Sequence, residues 1–145
     1  MKLKNTLFNL FILFVSLSYA QQTEKVFLSG KDADAPVNWE FMVSKGMKAN
    51  QWLTIPVPSN WELQGFGVYN YGHDKNKSDE IGFYKHHFKV SNEWVNKKIS
   101  IVFEGVMTDT EVKINGKIAG AVHQGGFYRF EYDITDLVKF DQDNL

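Results

Sequence analysis

The amino-acid sequence predicts an all-β fold, a sandwich of short strands, and three observations carry this. Apolar and polar residues alternate in several short segments, turn residues separate those segments, and nothing after the first twenty residues shows a helical 3.6-residue period. The pattern is plainest over 99–120, ISIVFEGVMTDTEVKINGKIAG, where Ile99, Ile101 and Phe103 alternate with Ser100, Val102 and Glu104. Val112 and Ile114 then alternate with Glu111 and Lys113, Asn115-Gly116 follows, and Ile118 resumes the apolar side. Asn-Gly between alternating runs marks a tight hairpin, because a type I′ turn needs positive φ at both central residues. A lone hairpin is marginal in water, so these strands require a sheet and a second layer.

Taken in order, the chain opens with a segment expected to be removed. Lys2 and Lys4 precede a mostly apolar run over 7–17, and Ser18-Tyr19-Ala20 offers small residues where a signal peptidase reads. A membrane anchor is the alternative, but the run is short of the ~20 residues a span needs. Residues 1–20 are therefore read as a signal peptide, 21–36 as a poorly ordered segment, and 37–145 as one β-sandwich domain. Val26, Phe27 and Leu28 could form a short first strand. Over 37–42, Trp39 and Phe41 fall on one side with Glu40 and Met42 opposite. Residues 46–51 read as a turn. Residues 52–57 are extended, with Pro56 and Pro58 expected to prevent regular ladder pairing. Residues 59–62 open a loop or a single helical turn.

Residues 63–81 form a long loop with three glycines and a charged run, and loops of this length are often functional. From 83 to 90 the chain alternates again, placing Tyr84, His86, Phe88 and Val90 on one face. A turn over 91–96 folds Trp94 back on the sheet. After the central hairpin, Gln124-Gly125-Gly126 breaks the chain, and Tyr128, Phe130, Tyr132 and Ile134 share the face of a further strand. Thr135 is read as the N-cap of a short turn over 136–140. Residues 141–144 turn, and Leu145 looks like the start of a further strand, so the sandwich is expected to be incomplete at its C-terminus and the chain to be part of a longer protein.

Composition narrows the function. Losing Lys2 and Lys4 leaves 14 basic against 17 acidic residues, so the net charge moves from −1 to −3. That mild, unpatterned acidity offers nucleic acid no basic stripe. The chain has no cysteine, so its core must stand without disulfides, and 15% aromatic residues can supply one. Periplasmic or extracellular localisation is expected, with no membrane contact after signal cleavage.

Few residues read as chemistry. Hydrolysis of a glycoside needs two carboxylates across the scissile bond, and no acid here sits in such a motif. His86 and His87 are adjacent on a strand and point to opposite faces, so they cannot share a metal. His73 and His123 lack a second ligand at zinc spacing, so neither metal nor cofactor is expected. Asn76-Lys77-Ser78 fits a glycosylation acceptor pattern. The informative group is Trp61, Phe66, Tyr69, Asn70, Tyr71 and His73, which joins aromatic faces to amide and imidazole groups in one loop. Aromatic rings cover the apolar C–H faces of sugars, and amides match their hydroxyls. Trp61 and Phe66 either serve such a ligand or seal the end of the sandwich.

Five segments resemble one family. IPVPSNWELQGFG over 55–67 is similar to the entry segment of the N-terminal domain of glycoside hydrolase family 2, which includes β-galactosidases, β-glucuronidases and β-mannosidases. Gly82-Phe83-Tyr84-Lys85 through Phe88, the Phe103-Glu104-Gly105-Val106 strand end, the hairpin over 112–120 and FEYDITDL over 130–137 resemble its other motifs, in family order. The resemblance implies a jelly-roll, galactose-binding-domain-like sandwich, called the sugar-binding domain. An immunoglobulin-like domain and a TIM barrel carrying both catalytic glutamates would follow it. The chain itself is then non-catalytic, within a retaining hydrolase expected to act as a β-galactosidase. The barrel of the same chain and a β-glycoside or oligosaccharide are its implied partners, with homo-oligomerisation open.

The resemblance also implies a set of substrate-binding residues. Family β-galactosidases lend polar loop residues to the active-site rim, and Asn70, after Tyr69, matches one of them. His73 lies in the same loop. A second family position, an aspartate before the FEYDITDL motif, is absent here. His123-Gln124-Gly125-Gly126 stands there instead, in a form closer to β-glucuronidases. Tyr69, Asn70, His73 and His123 are thus the substrate-binding candidates. A free-standing carbohydrate-binding module and a purely structural domain are the competing readings.

Overall fold

The computed structural model describes residues 23–68 and 79–145. Its architecture is all-β. The strands are β1 (Val37–Val43), β2 (Leu53–Val57), β3 (Gly82–Lys85), β4 (Phe88–Lys89), β5 (Ser100–Phe103), β6 (Lys113–Ile114), β7 (Lys117–Ile118), β8 (Phe130–Asp133) and β9 (Asp143–Asn144). The only helical elements among the described residues are single 3-10 turns at Glu62–Gln64 and Asn92–Trp94. β2, β1 and β3 form one antiparallel sheet in that order, and β4–β9, β5–β8 and β6–β7 form antiparallel pairs.

Two apolar clusters hold these strands. In the first, Phe41, Val43 and Ile55 are fully buried, and Phe66 closes over them. The alternation of β1 dictates this, since every second side chain points to the same face. The 3-10 turn brings Trp61 and Phe66 onto Phe41, with ring centroids 5.5 and 4.9 Å away. Trp61 and Phe66 therefore seal the core rather than face a ligand. The second cluster gathers Val90, Ile99, Ile114 and Ile134, with Phe88 from β4, Ile101 from β5 and Tyr132 from β8 packed against it. Side chains of the β5–β8 pair thus meet those of β4 and β6, an arrangement that fits a sandwich.

Asn115 and Gly116 both have positive φ, 53° and 80°, as a type I′ hairpin requires. Asn115 also anchors the hairpin. Its backbone N–H donates to the Leu145 carbonyl at 2.7 Å, and its side-chain amide donates to the Leu137 carbonyl at 2.9 Å and to Asn144 Oδ1 at 2.8 Å. Asn144 is 0% exposed. Its Oδ1 also accepts from the Lys139 N–H at 2.7 Å, and its Nδ2 donates to the Lys139 carbonyl at 2.8 Å. This polar hub joins β9, the turn before it and the β6–β7 hairpin.

Several local expectations change, among them the turn expected over 141–144, whose last two residues form β9. Val26, Phe27 and Leu28 form no strand; Val26 and Phe27 are exposed, and the Leu28 carbonyl instead accepts the Trp39 indole N–H at 3.1 Å. Pro56 sits in register opposite Asn38 in the β1–β2 ladder, which tolerates it because β2 lies at the edge of this sheet among the described residues. The segment over 83–90 is not one strand. It breaks at His86 and His87, where the chain leaves β1 for β9, because His86 stacks flat on Trp39 (4.5 Å, 10°) and His87 Nδ1 lies 2.6 Å from Asp143 Oδ2. Thr135 does not cap the turn that follows it. Asp133 Oδ1 accepts the Thr135 N–H at 3.1 Å, while Thr135 Oγ1 accepts the Ile99 N–H at 2.9 Å.

Two glycines separate crowding from backbone strain. A Cβ at Gly82 would lie 2.2 Å from Cζ3 of the partly buried Trp61 and 3.0 Å from Cε2 of the fully buried Phe41. Gly82→Ala should destabilise the fold by about 2 kcal/mol, the scale of overpacking a core. Gly116 meets nothing within 4 Å, so Gly116→Ala should cost only about 1 kcal/mol through its positive φ. Denaturant unfolding followed by tryptophan fluorescence ranks the two, and equal losses would contradict the packing at Trp61.

Protonation gives a second check. Burial, and then the neighbouring charge of His87, hold the His86 pKa below its ordinary 6.5. The fold therefore disfavours protonated His86, and the stability it contributes is fully present above pH 6.5 and lost as pH falls through the depressed folded value. His86→Phe, which keeps the stack on Trp39, should shrink the loss of Tm between neutral and mildly acid pH. An unchanged acid limb would show that His86 does not titrate in this way.

Candidate functional site

The site is built at one end of the β5–β8 ladder. Phe103 ends β5 and Phe130 begins β8, and register places them opposite each other. Their rings stack at 4.9 Å and 11°. The chain leaves β5 through 104–110 and returns to β8 through 119–129. These two connections are tied by an antiparallel bridge: Thr110 N–H donates to the His123 carbonyl at 2.8 Å, and His123 N–H to the Thr110 carbonyl at 3.0 Å. That bridge lays the His123 imidazole on Phe130 at 3.8 Å and 12°, continuing the stack His123–Phe130–Phe103. Tyr128 meets His123 edge-on at 5.2 Å. Stacked and edge-on aromatic contacts are typically worth about 0.5–1.5 kcal/mol each beyond their buried area.

A tight loop completes the site. Gly125 has φ 116°, and a Cβ there would lie 2.2 Å from the Tyr128 hydroxyl. That hydroxyl donates to the Gln124 carbonyl at 2.6 Å. The Gln124 side-chain amide donates to Asp109 Oδ1 at 3.2 Å, so a carboxylate from the first connection reaches the second. Phe127 is left 92% exposed at the tip, near exposed Tyr128 and Met107. His123 Nε2 is buried and has no hydrogen-bond partner. The cluster therefore joins aromatic faces, the Asp109 carboxylate and an imidazole held in a fixed plane. Aromatic faces of this kind can cover the C–H faces of a polyhydroxylated ligand, and a carboxylate can accept its hydroxyl protons.

Of the substrate-binding candidates, His123 lies within this cluster. Tyr69, Asn70 and His73 lie outside the described residues, as does the charged run from Asp74 to Ser78. The stem that carries them is described. Met47 and Gly67 pair through both backbone hydrogen bonds, at 2.8 and 3.0 Å. Val68 N–H donates to Glu80 Oε1 at 2.7 Å, and Ile81 N–H to Ser44 Oγ at 2.8 Å. Lys45 pairs with Asp79, and this contact holds the Asp79 carboxyl below its ordinary pKa. The ends of the long loop are thereby fastened to the end of β1.

Reading the sequence missed Asp109 and Tyr128. Asp109 lies in a link without periodicity, and its left-handed φ of 59° emerges only in the fold. Tyr128 was counted as a strand residue, but β8 begins at Phe130 and Tyr128 instead closes the glycine loop. Among the described residues no group of three histidine, cysteine, aspartate or glutamate side chains could hold a metal ion. A shallow groove elsewhere, flanked by Lys97, Lys98, Asp133 and Asp136, has no aromatic face.

Residues 27–145 match the family model described as "Glycosyl hydrolases family 2, sugar binding domain". The chain is 29% identical over 135 residues to a β-glucuronidase from Bacteroides fragilis, covering 93% of this chain and 18% of that protein. It is 43% identical over 60 residues to a β-galactosidase from Thermoanaerobacter pseudethanolicus, covering 41% of this chain and 8% of that protein. A β-glucuronidase structure from Ruminococcus gnavus shares its fold with a TM-score of 0.59 at 23% identity, over 87% of this chain and 22% of that one. The chain thus spans less than a fifth of the length of the curated relatives it matches.

Phe130→Leu keeps an apolar filler and removes both flat ring contacts. It should destabilise the protein by about 1–2 kcal/mol. Thermal unfolding checks this, and a wild-type Tm would mean that the stack contributes nothing to stability.

Proposed function

The chain belongs to glycosyl hydrolase family 2, whose sugar-binding domain it carries, and on that premise we propose that it is the N-terminal, non-catalytic part of a larger secreted enzyme that hydrolyses β-glycosidic bonds. The domain is a jelly-roll sandwich preceded by a signal peptide. It packs against a catalytic barrel of the same chain, where two glutamates act as acid/base and nucleophile of a retaining mechanism. Its loops add to the rim of the active site, through Tyr69, Asn70, His73 and His123. The observation that carries this reading is the family match across most of the chain, which coincides with an end where stacked rings hold His123 beside Gln124 and Asp109.

β-Galactosides are the proposed substrate class. β-Glucuronides are the second reading, favoured by the His123-Gln124-Gly125-Gly126 sequence and by the name of the Bacteroides fragilis relative, which aligns with nearly the whole chain.

The test is kinetic and uses the full-length enzyme on nitrophenyl β-galactoside and β-glucuronide. One substrate should dominate, and Asn70→Ala and His123→Ala should each lower kcat/KM on it by roughly tenfold, the scale of one lost hydrogen bond. Wild-type kcat/KM in both variants would remove the rim role. Turnover of neither glycoside would overturn the proposed substrate class.

A further inference from the structure

We propose that Asn115 is a site of spontaneous deamidation that the native polar hub suppresses and unfolding releases, so that the modification commits an unfolded chain to stay unfolded. Asn115 precedes Gly116, and a glycine places no side chain in the path of its own backbone nitrogen. Nothing lies within 4 Å of the position a Gly116 Cβ would take, so the outer side of the turn offers no steric barrier. What restrains the reaction is the side-chain amide itself. Its nitrogen donates to the Leu137 carbonyl at 2.9 Å and to Asn144 Oδ1 at 2.8 Å, and its oxygen accepts the Leu145 N–H at 3.2 Å. Both donor hydrogens and the carbonyl oxygen are engaged, so the amide must give up these bonds before its Cγ can be reorganised by attack.

When the hub opens, the Gly116 nitrogen loses its proton to base and attacks Asn115 Cγ. The bond from Cγ to Nδ2 breaks, ammonia leaves, and a five-membered succinimide forms. Water then opens the ring at either carbonyl, giving aspartate or isoaspartate at position 115. Neither product can rebuild the hub. An aspartate carboxylate would face the Leu137 carbonyl and Asn144 Oδ1 as acceptor against acceptor, with no hydrogen to donate. An isoaspartate adds a carbon to the backbone within a two-residue turn whose register the β6–β7 pair needs.

The experiment follows the full-length protein at mildly alkaline pH, native and in urea. Trypsin cleaves after Lys113 and Lys117 and releases Ile114-Asn115-Gly116-Lys117, in which mass spectrometry reads amide-to-acid conversion directly. Conversion in the native protein should be slower than in urea by roughly a hundredfold, as for other reactions that require a packed segment to open. Asn144→Ala removes one acceptor of the Asn115 amide and should speed conversion in native buffer toward the urea rate. Urea-unfolded chains, separated after partial conversion and diluted back, should refold only in the unmodified fraction. Equal rates in native buffer and urea would overturn the proposal, and so would recovery of native fluorescence by the modified fraction.

Discussion

The side chain of Asn144 is a primary amide with no access to solvent, and much of the second half of the molecule is arranged to satisfy it. An amide buried without partners costs about 1–3 kcal/mol for each group left unpaired, so its surroundings must supply carbonyls and N–H groups at fixed positions. Lys139 supplies one of each, at 2.8 and 2.7 Å, and Asn115 supplies a third partner. Because Asn115 is also the first central residue of the type I′ turn, the same contact sets where the β6–β7 hairpin stands relative to β9. An apolar cluster is tolerant of small slips; a saturated amide is not, because each bond has a direction. The hub thus specifies register, and Val90, Ile99, Ile114 and Ile134 around it contribute bulk burial.

The first cluster is organised differently. It depends on ring shape, with Phe41 fully buried between Trp61, Phe66 and Tyr84. Burial pushes the Tyr84 hydroxyl pKa up to about 12, so the neutral phenol is the form the fold accepts. Here the periodicity of the sequence was a sufficient guide. Alternation at Trp39 and Phe41 fixes which face is inward, and the hairpin at Asn115-Gly116 follows from the φ values that only such residues adopt readily. The local misreadings share a cause. Val26 and Phe27 look like a strand because they are apolar, but pairing needs a neighbour, and the Leu28 carbonyl is taken by an indole. His86 and His87 sit within an alternating run, yet the chain changes partner there from β1 to β9, and alternation carries no information about which strand lies alongside. Pro56 forbids a hydrogen bond only on its own N–H, which an edge strand does not require.

The site was legible to a lesser degree for the same physical reason. His123 stood out because it precedes two glycines, and the resemblance to a family assigned it a role. Its stacking on Phe130 could not be read, since the two are seven residues apart and meet only because Thr110 pairs with His123 from another segment. Asp109 was invisible for that reason as well. Its partner Gln124 lies fifteen residues away, and only the bridge at Thr110 makes them neighbours. Long-range pairing, not residue type, creates this cluster.

That origin has a consequence for how the site would meet a ligand. A histidine on a loop ordinarily gains its orientation from hydrogen bonds at both ring nitrogens. Here the plane is set by dispersion against Phe130, with Tyr128 at its edge, and Nε2 is left buried without a partner. Leaving that nitrogen unpaired opposes folding, so the stack and the backbone bridge must together outweigh it. The result is a ring whose orientation does not wait for a ligand. Ordering a rotamer-rich side chain on binding costs about 0.5–1.5 kcal/mol, and a stacked, bridged imidazole avoids most of that cost. Phe127 stands at the opposite extreme, exposed at the tip of the same loop. One short connection therefore joins a side chain fixed before binding to one still free to settle, and the glycine pair between them, with Gly125 at φ 116°, is what lets the backbone turn sharply enough to hold both.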